Sequence, residues 1–160
     1  MVANKVEIRK YQNEMSDLLA NIRQEDLHEL QAICDAVKIS TDTYSAILVC
    51  SCCQNNWSIY HGDTLLACCG VLKPRTPLDL YGHIWFLTTN AVESHKKSFV
   101  EGCKGVLAKA LGKCPNGLSV DIIDRYKKAH RLARSFGFQP TEEVDFYGTK
   151  FIRYVLLGDK

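Results

Sequence analysis

The sequence predicts an α/β domain, a mixed and mostly antiparallel central sheet flanked by helices, formed as one unit over residues 1–160. Three observations predict it. Across residues 118–140 the hydrophobic period changes from that of a strand to that of a helix. WSIYH (57–61) and TLLACCGVL (64–72) flank Gly62-Asp63, which has the turn chemistry of a hairpin. HIWFLTT (83–89) is continuously apolar, as a strand buried on both faces must be.

Taken in order, the chain starts with VEIRKY, whose Val6, Ile8 and Tyr11 suggest a short first strand. Asn13 or Ser16 is positioned to cap a helix burying Leu18, Leu19 and Ile22. Leu27, Leu30, Ile33, Cys34 and Val37 recur at helical spacing over residues 24–37. Residues 40–53 read either as a helix behind a Ser/Thr/Asp start or as the strand ILVCSCC, and the helix is preferred. Pro74 and Pro77 end the hairpin. After the central strand comes a loop and then a helix over residues 90–113 with Phe99, Val100, Cys103, Val106, Leu107 and Ala110 inward. Gly102 and Gly105 weaken that helix.

Cys114-Pro115-Asn116-Gly117 is a turn, and LSVDII (118–123) is a β-branched strand. A helix over about 125–136 places Ala129, Leu132, Ala133 and Phe136 on one face. Gly137 ends it, Pro140 prevents its resumption, and Phe138 turns back toward the core. FYGTKFIRYVLL (146–157) closes the chain as a hairpin-like end.

Composition restricts the function classes. Hydrophobic residues at 46% and charged residues at 24% are those of a soluble globular protein, and no run spans a membrane. MVANKVEIRK has no apolar stretch, so no secretory signal is expected. A net charge of +2 does not call for a polyanion. The basic residues Arg125, Lys127, Lys128, Arg131 and Arg134 fit a solvated helix face, because Tyr126 is the one stacking aromatic interleaved with them, and nucleic acid is not expected. Eight cysteines without a signal sequence point to reduced thiols and cytoplasmic residence. Cys50, Cys52, Cys53, Cys68 and Cys69 lack paired C-x-x-C knuckles and read as small buried hydrophobes, so no metal site is expected.

Residues able to move a proton cluster at predicted strand ends: His83, His95, Asp121 and Asp124 as acceptors, with Tyr126 as a possible acid. No Cys-His-Asx constellation for nucleophilic catalysis is recognisable from spacing.

The pattern Ala129-x-x-Leu132-Ala133-x-x-Phe136-Gly137-Phe138, with the order of elements around it, resembles the GNAT superfamily of acyl-CoA-dependent N-acetyltransferases. The resemblance implies a GNAT-like domain and acetyl-CoA as cofactor. Its site would be the end of the central strand and the start of the next helix: Leu87, Thr88, Thr89, Ser94, His95, Lys96, Lys97 and Ser98. Helix N-termini bind anions through unpaired amides. Two departures accompany it. The loop NAVESHKKSFV has no glycine, and the positions where the family carries Asn and a Tyr acid hold Tyr126 and Ala133.

Within that superfamily the chain resembles the GNAT-like internal virion assembly proteins of short-tailed phages. The features are V-E-I-R-K, Gly62-x-x-Leu65-x-Ala67-x-x-Gly70, Trp85-Phe86-x-Thr88 and the glycine-free basic helix start. This implies assembly of the internal head structure through contacts with phage structural or host proteins, around a degenerate acyl-CoA site. The alternative is an active acetyl-CoA-dependent N-acetyltransferase acting on a small amine or a protein amine.

Overall fold

The computed structural model describes residues 5–52, 54–76, 78–146 and 148–158. Cys53, Pro77 and Tyr147, used in the reading above, lie outside the described residues. The strands are β1 (Val6–Lys10), β2 (Asn56–His61), β3 (Thr64–Leu72), β4 (Gly82–Thr88), β5 (Gly117–Ile123), β6 (Gln139–Phe146) and β7 (Thr149–Leu157). The helices are α1 (Met15–Ala20), α2 (Gln24–Val37), α3 (Thr41–Ser51), α4 (Lys96–Lys113) and α5 (Lys127–Ser135), with a 3-10 turn at Asn90–Ser94. Together they form a single α/β domain.

All seven strands lie in one sheet, ordered β1-β2-β3-β4-β5-β7-β6. Every neighbouring pair is antiparallel except β4 with β5. One face packs on α4 and α5 through Ile59, Ile84, Phe99, Cys103, Val106, Leu118 and Phe138. The other carries Met15 and Leu18 of α1 against Leu65, Cys68, Trp85 and Leu87. The strand period of two sends Ile84 to one core and Trp85 to the other, which is why β4 is apolar throughout.

The helix reading holds over Thr41–Ser51: Ser40 caps α3 by accepting from the Thr43 N–H at 3.1 Å. The cap expected for α1 is different. Neither Asn13 nor Ser16 serves, since Asn13 is left-handed (φ 64°) and Ser16 lies inside the first turn. The Met15 N–H donates instead to the Tyr11 hydroxyl at 3.2 Å. Gly102 and Gly105 prove to be packing positions, because a Cβ there would stand 2.4 Å from Ile59 and 2.3 Å from Ile8. The helical cost of glycine is thus exchanged for close approach of α4 to β1 and β2.

Gly137 (φ 97°) ends α5 in a Schellman arrangement, with Phe138 N–H on Ala133 C=O at 3.1 Å and Gly137 N–H on Arg134 C=O at 3.0 Å. Phe138 is buried as expected. The closing hairpin is longer than the sequence suggests, since β6 already starts at Gln139. Pro140 is accommodated there because β6 is an edge strand and carries a bulge between Pro140 and Glu142.

Candidate functional site at the splayed central strands

The one parallel junction is also the shortest. β4 and β5 pair only at Gly82↔Leu118 and His83↔Ser119 and then diverge. β3 and β4, by contrast, stay in register from Ala67↔Thr88 to Leu72↔His83. Backbone groups alternate sides along a strand, so Ile84, Phe86 and Thr88 direct their N–H and C=O groups toward β5. Beyond the divergence lies a cavity of about 850 Å³ between β4, β5, α2, α4 and α5.

The far end of that β4 edge is occupied by the protein itself. The Thr88 N–H donates to the Asp26 carboxylate at 2.6 Å, and the Thr88 hydroxyl donates to the same oxygen. The Arg23 N–H donates to the Thr88 carbonyl at 2.9 Å, and Ile22 bridges to Thr89. The turn between α1 and α2 is therefore stitched across the end of β4. Arg23 pairs with Glu25 at 3.0 Å and Glu93 at 3.4 Å, and Lys96 pairs with Glu93 at 3.6 Å.

One helical turn after Asp26, Glu29 faces the same cavity. Both carboxyls are enclosed by protein on most sides while keeping some surface toward the cavity. Burial raises the Asp26 carboxyl, and the Thr88 donors offset part of that effect. Burial, reinforced by Asp26, pushes Glu29 up to about 8. Glu29 can consequently exchange a proton near neutral pH.

The structure brings some of the sequence candidates together here. His83, Asp121 and Tyr126 line the cavity, and Asp124 does not. His83 shares a hydrogen bond with Ser119 at 3.2 Å, and burial lowers its pKa. Asp121 accepts two bonds from Arg153, at 2.8 and 3.0 Å, which hold it in an ion pair. Tyr126 meets His28 at 3.1 Å, and burial raises its hydroxyl. The Asp124 carboxylate points to Lys150 at 4.0 Å.

Of the candidate cofactor residues, Leu87, Thr88 and Lys96 line the cavity; Thr89, Ser94, His95, Lys97 and Ser98 do not. The Thr89 hydroxyl donates to Leu65 C=O at 2.8 Å and caps the 3-10 turn. His95 stacks on His61 with ring centres 4.1 Å apart, and Ser98 meets His61 at 2.6 Å. The start of α4 is thereby tied to the β2–β3 hairpin.

Three site residues escape sequence reading. Asp26 and Glu29 are masked by the leucines of α2, yet Asp26 stands at i, i+4 and i+7 with Leu30 and Ile33, a carboxylate in an apolar stripe. That placement is a usable signal. His130 is buried, and its Nε2 lies 3.0 Å from both Ile123 C=O and Asp124 C=O. Two carbonyl acceptors require a proton on Nε2, and Nδ1 shares a hydrogen bond with the Tyr154 hydroxyl at 2.8 Å. This histidine fixes the β5–α5 lip of the cleft.

The mouth is basic. Arg125, Lys127, Lys128 and Arg131 line it, and among the described residues none of these four is in an ion pair. Among the described residues there is also no group of three or more His, Cys, Asp or Glu able to hold a metal ion. No described helix is long and apolar enough to cross a membrane.

No protein-family model matches the chain, and no curated protein matches its sequence. Solved structures do match its fold. Ard1 from Thermoplasma volcanium superposes with a TM-score of 0.72 at 13% identity, covering 99% of this chain and 100% of that one. YncA from Salmonella typhimurium, a putative acetyltransferase with its cofactor acetyl-CoA, gives 0.64 at 15% identity over 98% and 96%. A GNAT-family acetyltransferase from Streptococcus agalactiae gives 0.69 at 12% identity over 97% and 96%. The chain has the GNAT fold.

Proposed function

We propose that this chain uses the GNAT fold as a binding module in assembly of a phage's internal head structure, in the host cytoplasm, with the acyl-CoA site closed by its own residues. The observation that carries this reading is the Asp26 carboxylate on the Thr88 amide. In a splayed strand the inward amide is the donor available to a ligand carbonyl, and here a carboxylate already holds it. Acetyl-CoA fits the remaining residues poorly: the first turn of α4 offers no glycine, and Lys96 is paired with Glu93. Ala133 supplies no acid where the resemblance would place one.

A second reading, N-acyl transfer to a small amine or a protein amine, is favoured by Glu29. A carboxyl titrating near 8 beside the cleft suits removal of a proton from an ammonium group.

Isothermal titration with acetyl-CoA separates the two. The assembly reading expects no saturable heat at millimolar cofactor, together with co-purification of head proteins from infected cells. Tight binding abolished by Lys96→Ala and Lys97→Ala overturns it.

A further inference from the structure

The side of α4 turned toward β1 and β2 carries a polar cluster separate from the cleft. Ser98 Oγ meets His61 Nδ1 at 2.6 Å, and the His61 ring stacks on that of His95, with centres 4.1 Å apart and planes inclined by 23°. None of the three residues lines the cavity. Ser98 lies one turn before Gly102, which packs on Val6 and Ile59, whereas Lys96 and Phe99 turn to the cleft. All three are half-buried and keep some surface toward solvent.

A serine hydroxyl is a weak nucleophile unless a base takes its proton, a further group holds the base, and donors meet the oxyanion that forms. Each part is present here. With the proton of the neutral His61 ring on Nε2, Nδ1 accepts from the Ser98 hydroxyl, and the stacked His95 ring fixes the plane of that acceptor. His95 occupies the N-cap of α4 without capping it through its side chain, and the ladder starts with the Phe99 N–H on the His95 C=O at 2.9 Å. The amides of Lys96, Lys97 and Ser98 therefore precede the ladder, at the helix end toward which the Ser98 side chain leans. The first turn carries no acidic side chain, so the positive end of the helix dipole is left to favour negative charge there.

We infer that Ser98 is a nucleophile, with His61 as its base, that takes an acyl group from a small activated ester whose leaving group departs as an anion. The bond from Ser98 Oγ to the carbonyl carbon forms as the bond from that carbon to the leaving group breaks. The hydroxyl proton passes to His61 Nδ1 and from there to solvent, the leaving group carries away the electron pair, and an ester remains on Ser98. Because the three residues lie outside the cavity, the acyl group is a short one presented from solution. The reaction uses no part of the cleft and is independent of whether acetyl-CoA binds there.

Stopped-flow kinetics of the intact chain with 4-nitrophenyl acetate test this. Wild type is expected to release a burst of one nitrophenolate per chain, and peptide mass spectrometry to place on Ser98 an acetyl group that alkaline hydroxylamine removes. Ser98→Ala is expected to lose the burst, and His61→Gln to slow it by about a hundredfold, the scale of a positioned base. His95→Ala should slow it and His95→Phe, which keeps a stacking ring, should restore it, as a positioning residue requires. Unchanged circular dichroism confirms that the variants are folded.

Acetyl groups found only on lysine or histidine side chains overturn the inference, as does a burst of equal rate in His61→Gln. So does an unmodified Ser98 after millimolar ester, which reduces the bond between Ser98 and His61 to a pin between α4 and the hairpin.

Discussion

β4 meets β3 and β5 in two different ways. With β3 it forms a continuous antiparallel ladder between two apolar cores, and the residues there, such as Ile84 and Cys69, are almost fully buried. With β5 it pairs at two positions and then opens, and the end of its freed edge is served by the Asp26 carboxylate and the Arg23 backbone, while His130 locks the end of β5. Stability therefore concentrates on the first junction and chemistry on the second. Strand pairs that stay together need only hydrophobic side chains, whereas strands that separate need polar groups to satisfy the freed backbone.

If that division is right, substitutions on the two sides must differ in size. Leu66→Ala, at a fully buried site beside the continuous ladder, should cost about 3–4 kcal/mol in urea unfolding, through lost transfer energy and a residual cavity. Leu132→Ala, half-buried on the cleft, should cost about 1 kcal/mol because the open space already lacks partners. Equal costs would mean that the two junctions carry the same share of stability.

His130→Ala tests the lip. It removes the His130 bonds to the Asp124 carbonyl and the Tyr154 hydroxyl, while the Ile123 carbonyl keeps the Tyr126 N–H, for about 2 kcal/mol. Hydrogen exchange should accelerate locally around residues 123–126 before it does in β3.

Glu29 sharpens the comparison through pH. Its folded pKa of about 8 lies above the ordinary value of 4.5, so between those values the folded state holds more protons than the unfolded one. Stability must then fall as pH rises through that window, the reverse of an ion-paired carboxylate. Urea midpoints measured from pH 5 to 9 should show wild type losing about 2 kcal/mol more than Glu29→Gln, a figure reduced because water reaches the carboxyl from the cavity. A rise in wild-type stability with pH relative to the variant would contradict the assignment. Smallest of all, Lys128→Ala should change stability by less than about 0.5 kcal/mol, since its side chain is exposed at the mouth.

Much of the fold was legible because hydrophobic period and turn residues act locally. Gly62-Asp63 marks the β2–β3 hairpin and Gly137 marks the end of α5, whose Schellman form only the structure shows. The edge strand β6 was less visible, because QPTEEVDF is mostly solvent-exposed and lacks the alternation that burial imposes. The site was legible only in part. His83, Thr88, Lys96, Asp121 and Tyr126 line the cleft, but the group that occupies the β4 edge, Asp26, is separated from Thr88 by 62 positions. Spacing along the chain carries no trace of a contact made across the sheet.

If Asp26 keeps the Thr88 amide from a ligand, that amide must stay silent when cofactor is added. Amide NMR spectra of the ¹⁵N-labelled protein, recorded as acetyl-CoA is added, test it most directly. The Thr88, Lys96 and Lys97 signals of wild type are expected to stay in place up to millimolar acetyl-CoA, whereas in Asp26→Ala the added cofactor moves the Thr88 signal further from its cofactor-free position. Saturable movement of all three signals in the wild-type protein would contradict it.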